Sequence, residues 1–197
     1  MKLADKKSSY LQSSYYIDCN SANIISTAKR LTANSEIETA ENIFHFVRDS
    51  ILHSWDIQDK RAPARASEVL ETGVSICYGK ANLLAAIMRA AKIPAGICYQ
   101  RLTLGDTPDT GFCVHALNAV FLNTIKKWIR LDPRGNTAFI HSAFDTEKEK
   151  LAFKVRPEIG EIDYPEIYST PLPITMSTLE KSSDALYMYQ FCLPDRI

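Results

Sequence analysis

Residues 77–92, CYGKANLLAAIMRAAK, leave this chain few ways to fold. Ala81, Leu83, Leu84, Ala85, Ile87 and Met88 spread around a helical wheel instead of keeping to one stripe. A helix that is apolar on most sides has to be enclosed. Pro94 stops it, because proline has no backbone N–H to continue the ladder. The remaining segments must therefore supply cover for one central helix.

Upstream, the pattern is helical. A first helix is predicted over roughly 22–33, after Asn20-Ser21. A second opens at Ser35, whose partner Glu38 three residues on completes a capping box. Its apolar positions Ile37, Ala40, Phe44, Val47 and Ile51 fall on one face. His45 lies beside that face, and His53 near the helix end, where an imidazolium suits the dipole. A short helix over 66–72 ends at Gly73, a C-cap glycine. Downstream, the period changes to two. Strands are predicted over 95–104, 112–122 and 127–132, with a plain turn over 105–111. LAFKV, residues 151–155, suggests another strand, and 156–173, with four prolines, a wrapping segment. A second capping box, Ser177 to Glu180, suggests a last helix from there to about Tyr189. Helices followed by antiparallel strands make an α+β fold, not an alternating βαβ one. The expected organisation is a polar arm over 1–20, a core over 21–155, and a C-terminal wrap and helix over 156–197.

Lys+Arg and Asp+Glu are each 23, so the formal charge is zero. Nucleic-acid binding calls for a basic surplus that is absent here, and there is no polybasic membrane signal. No segment approaches ~20 continuous apolar residues, so no membrane span is expected. The five cysteines lack CxxC spacing, which together with a charged N-terminus reads as reduced thiols in a cytoplasmic protein. Gly-rich phosphate loops, G-x-S-x-G elbows and H-E-x-x-H helices are missing, and no cofactor is called for.

Three residues can share a site. Cys77 stands at the start of the central helix, where free N–H groups and the dipole favour a thiolate. Lys80 adds a positive charge one turn on. A thiolate nucleophile needs a proton carrier, normally histidine. His115 lies in GFCVHALNAVFL, apolar enough to be buried on both faces, so it needs a partner. Asp132, in WIRLDPRGN, ends the next strand. If the two strands form a hairpin with a two-residue link, Asp132 faces His115. With a four-residue link it faces Leu117 and lies diagonal to His115. Either even link places both side chains on one face. A carboxylate about 5–8 Å across the ladder can orient the imidazole. A bland reading stands beside this: a buried thiol, a core histidine bonded to a backbone carbonyl, and an aspartate at a turn.

RASEVLETGVSICYGKANLLAAIMRAAKIPAG, then HALNAVFL, then WIRLDPRGN, resembles the core of the transglutaminase-like family, within the papain-like cysteine enzymes. The resemblance covers 66–136. It implies Cys77 as nucleophile, His115 as general base and acid, and Asp132 as orienter, on a papain-like core with a buried central helix against an antiparallel sheet. Ser75 stands where the family commonly has glycine, Leu117 where an aromatic is frequent, and Gly96 where many members have arginine.

The expected activity is acyl transfer on a protein or peptide amide through a thioester, hydrolytic in preference to cross-linking. The Cys77 backbone N–H supplies one oxyanion donor; Tyr78 and Trp55 are the candidates for the second. The alternatives are a catalytically inactive transglutaminase-like binding module and, more remotely, a zinc site using Cys113 and His115 with Cys77 and Cys98.

Overall fold

The computed structural model describes every residue of the chain except Asp106, so the part of the 105–111 turn that rests on Asp106 lies outside the described residues. In chain order the elements are β1 (Lys2–Leu3), α1 (Ala22–Leu31), α2 (Glu36–Ser50), β2 (Leu52–His53), α3 (Ala66–Thr72), β3 (Val74–Ser75), α4 (Cys77–Ala90), β4 (Ala95–Thr103), β5 (Phe112–Leu122), β6 (Lys127–Leu131), β7 (Ile162–Asp163), β8 (Glu166–Ile167), α5 (Pro173–Glu180) and α6 (Ala185–Phe191).

The apolar helix is enclosed as its composition demands. Every residue of α4 from Cys77 to Arg89 is buried. Helices α1, α2 and α3 and strands β4 and β5 all pack on it. The sheet runs β6-β5-β4-β7, antiparallel throughout. The fold is α+β. Local chemistry sets the helix ends. The Ser35 hydroxyl accepts from the Glu38 N–H at 3.1 Å, capping α2. Gly73 ends α3 in the left-handed region at φ 69°, which glycine enters without steric cost.

Polar residues on α4 find partners outside the helix, although Asn82 Oδ1 has none among the described residues. Arg89 donates to the carbonyls of Ala95, Gln12 and Ser169 at 2.6–3.0 Å, tying both chain ends to the core. Asn118 of β5 donates to Ala81 and Gly96 carbonyls at 2.9 and 3.1 Å, fastening sheet to helix. Gly96 lies under β8. A Cβ there would sit 2.5 Å from Ile167 Cγ2 and 2.8 Å from the Tyr168 carbonyl oxygen. No arginine fits, which explains that departure from the family pattern.

Four expectations need correction. Ser177 does not open a helix. It lies inside α5, which begins at Pro173, and its hydroxyl donates back to the Ile174 carbonyl. A separate helix, α6, is capped by Asp184, whose carboxylate accepts from the N–H groups of Leu186 and Tyr187. LAFKV is not a strand. The 156–173 segment is not only a wrap: β7 pairs with β4, and β8 pairs in parallel with β1. That last pairing draws in the N-terminal residues, and Tyr10 becomes fully buried with its hydroxyl on the Ile167 carbonyl at 2.6 Å.

Candidate active site

Cys77 is the first residue of α4, and β3 delivers the chain to it through an extended Ile76. Its side chain is buried but reaches a cavity of about 300 Å³. Ser75, two residues before, fits because Gly79 leaves room: a Cβ on Gly79 would lie 2.2 Å from the Ser75 hydroxyl. That hydroxyl donates to the Pro63 carbonyl at 2.9 Å. The serine in place of the family's glycine is thus accommodated by a glycine one turn along.

His115 faces the same cavity from β5, and Asp132 follows the last residue of β6. Leu122 pairs with Lys127, so the hairpin has the four-residue link, and Asp132 lies diagonal to His115. His115 Nε2 meets Asp132 Oδ2 at 2.9 Å. The carboxylate is held in place by the N–H groups of Arg134 and Ala152 at 3.1 and 3.2 Å. Phe153 stands edge-on to the imidazole, with centroids 5.1 Å apart. Residues 152 and 153 therefore close over the pair without forming a strand.

The electrostatics follow from burial and pairing. Burial disfavours an imidazolium at His115, but the charges of Asp132 and then Cys77 reverse this and raise its pKa. Burial also works against an ionised Asp132, and His115 together with the two backbone N–H groups overcomes it, so that pKa falls. The pair is thus a carboxylate beside a ring that readily holds a proton. With Nε2 committed to Asp132, Nδ1 is the nitrogen left for the Cys77 sulfur.

Other residues line the cavity, among them Cys113 and Trp55, weighed from sequence, and Arg134 and Tyr189, which were not. Cys113 lies two positions from His115 on the same face of β5, and burial pushes its thiol up to about 12. Arg134 pairs bidentately with Asp56 at 2.5 and 2.8 Å; although burial opposes the charge, this contact raises its pKa. Trp55 stacks on Tyr189 of α6 at 4.7 Å and 17°. The WIRLDPRGN motif contains Arg134, but no local signal marks Tyr189, which arrives from the far end of the chain. Tyr78 is excluded as an oxyanion donor, since its hydroxyl donates to the Val114 carbonyl at 2.8 Å.

Two further expectations change. Lys80, expected to add a positive charge near Cys77, turns instead toward the end of α2. It is fully buried and donates to the carbonyls of Arg48 and Ile51 at the end of α2. His53 carries no helix-end charge. It is buried on β2, and burial holds its pKa well below the usual range. Cys98 packs with Tyr10 and Leu117 in a second core cluster, apart from the one that holds Cys77. Among the described residues no group of three or more His, Cys, Asp or Glu side chains is placed to hold a metal. A roomier hollow of about 460 Å³ lies over Arg130 and Glu149, but these are paired with each other and offer no nucleophile.

The model of the transglutaminase-like superfamily matches residues 25–133, more than half of the chain. The chain belongs to that superfamily. The match contains Cys77, His115 and Asp132. Among solved structures, this transglutaminase-like chain is similar to a candidate cysteine protease from Cytophaga hutchinsonii, at 17% identity and a TM-score of 0.51, over 65% of this chain and 42% of that one. It is also similar to the periplasmic domain of TgpA from Pseudomonas aeruginosa, at 15% identity and a TM-score of 0.48, over 66% and 48%. The chain thus spans less than half the length of either. No curated protein matches it. Among the described residues no helix is long and apolar enough to cross a membrane.

Proposed function

We propose that this transglutaminase-like chain is a cysteine enzyme of acyl transfer acting on amide bonds of a protein or peptide. The observation that carries the reading is the Asp132-held imidazole of His115 in the wall of the cavity that Cys77 reaches from a helix N-terminus. In the proposed cycle the Cys77 proton passes to His115 Nδ1 as sulfur attacks the amide carbonyl carbon. The oxyanion forms beside the Cys77 backbone N–H, which as the first helical residue has no partner within α4. His115 returns the proton to the nitrogen as the C–N bond breaks, and the amine leaves. A thioester remains on Cys77. Water then gives a proton to His115 and its oxygen to the acyl carbon, releasing the acid and the thiol. Asp132 keeps the ring oriented and stabilises its charged form throughout. Hydrolysis is favoured over cross-linking because water reaches any open cleft.

Activity-based labelling with a thiol electrophile tests this on the wild type, Cys77→Ala and His115→Ala. Fast labelling at Cys77 that collapses in the histidine variant supports the enzyme. Equal labelling of all five cysteines overturns it. The second reading, a binding module without catalysis, draws support from the Tyr189 and Leu193 side chains of the C-terminal segment in the cavity wall. An inert Cys77 would favour that module.

A further inference from the structure

The buried polar atoms of this fold nearly all have partners, so the exceptions are informative. One of them is Nδ1 of His53, buried and without a hydrogen-bond partner among the described residues. An orphaned atom of this kind is costly to bury. The imidazole is also held firmly. Its strand residue pairs with Ser75, two positions ahead of Cys77. Tyr189 meets the ring edge-to-face at 5.8 Å and 88°. The side chain is 4% exposed and lines the cavity shared by Cys77 and His115.

The tautomer follows from the orphan. A buried N–H without a partner is rarer than an acceptor left short, so the ring proton is assigned to Nε2, the nitrogen not buried without a partner. Burial, then the charges of Arg134, Lys80 and His115, keep the ring neutral. The result is a rigid, uncharged N–H donor in the wall of the cavity that the thiol reaches. Resting on the acyl-transfer reading, we propose that His53, through Nε2–H, is the second donor to the acyl oxygen that becomes negative when Cys77 attacks. A neutral donor suits the role: it stabilises the oxyanion without adding a cation next to the imidazolium that His115 becomes. Trp55, the other candidate in this wall, lies flat on Tyr189.

Two reagents separate the functions of the site. Iodoacetamide alkylates sulfur by direct displacement at carbon, and no oxyanion develops. p-Nitrophenyl acetate acylates sulfur through a tetrahedral oxyanion. With His53→Phe, the acylation rate at Cys77 is expected to fall about 100-fold, the usual loss for one oxyanion donor, while alkylation stays within about threefold of wild type. His53→Asn, which restores an N–H, is expected to recover most of the loss. Trp55→Phe is expected to change neither rate by more than about fivefold. The proposal is overturned if acylation is unchanged in His53→Phe, if both rates fall together, or if Trp55→Phe rather than His53→Phe abolishes acylation. Alkylation of Cys77 also reports that a variant is folded with its site intact. If wild-type Cys77 reacts with neither reagent, the acyl-transfer reading itself fails, which is a separate result.

Discussion

The two ends of α4 carry buried polar groups of opposite character. At the C-terminal end, Arg89 points its guanidinium at three backbone carbonyls: that of nearby Ala95, and those of Gln12 and Ser169 from segments far apart in the chain. At the N-terminal end, Cys77, His115 and His53 share a cavity wall in which His53 Nδ1 has no partner among the described residues. One end is saturated and acts as a fastener. The other is kept under-satisfied by a scaffold that holds it regardless. Complete hydrogen bonding at Arg89 ties segments of the fold together, whereas the unpartnered atom at His53 belongs to a ring that lines a cavity a ligand can enter.

This contrast can be broken by mutation, starting at the reactive end. Cys77→Ala or His115→Ala should lower the acylation rate by about 10⁴-fold or more, roughly 5.5 kcal/mol of barrier, with little change in melting temperature for Cys77→Ala and a lower one for His115→Ala, which leaves the buried Asp132 carboxylate without its partner. A rate within tenfold of wild type would remove the reactive end altogether. Asp132→Asn should cost about 10³-fold, near 4 kcal/mol, because the imidazole loses its orienter and the partner of its charged form. Denaturant titration of the same variant should also show lost stability, since Asp132 anchors residues 134 and 152.

At the fastened end the expected readouts exchange places. Arg89→Leu leaves buried carbonyls unpaired and should destabilise the fold by about 3 kcal/mol, while acylation per folded molecule stays within about twofold. A selective loss of activity would erase the distinction between the ends. Lys80 lies between them and sharpens it. Burial and then the Arg134 charge lower its pKa from 10.5 to about 7. Between those values the unfolded chain binds more protons than the folded one, so stability rises with pH. Wild type should gain about 2 kcal/mol relative to Lys80→Met from about pH 7 to about pH 9. A flat difference would mean that Lys80 is not desolvated as its surroundings require. The smallest effect belongs to the surface. Lys60, 72% exposed, pairs with Asp184 at 3.0 Å, and Lys60→Ala should shift stability by less than about 0.5 kcal/mol.

Much of the site was legible before any coordinates. Alternation of side chains along strands put His115 and Asp132 on one face for any even hairpin link. Which even link is used was not legible. The four-residue loop is held by Glu36 at the start of α2, whose carboxylate accepts from Asn123 and Thr124 at 2.7–2.9 Å. The two capping boxes show where local patterns end. Ser35 and Ser177 present the same spacing to a glutamate, yet only Ser35 caps. Pro173, four residues before Ser177, already starts a helix with its fixed φ and missing N–H, and that signal outranks the box. The charges expected of Lys80 and His53 fail for a shared reason: burial by segments distant in sequence disfavours the charged form of each.

From sequence alone came the enclosed central helix, the order of helices and strands, and the common face of His115 and Asp132. All three are periodic properties carried within single segments, where the side-chain direction repeats with the backbone. Only the tertiary structure decided that Lys80 is buried at the end of α2, that His53 is neutral in the cavity wall, and that Tyr189 from the far end of the chain stands beside it. Those outcomes depend on desolvation, and desolvation is set by segments distant in sequence that meet only when the chain has folded.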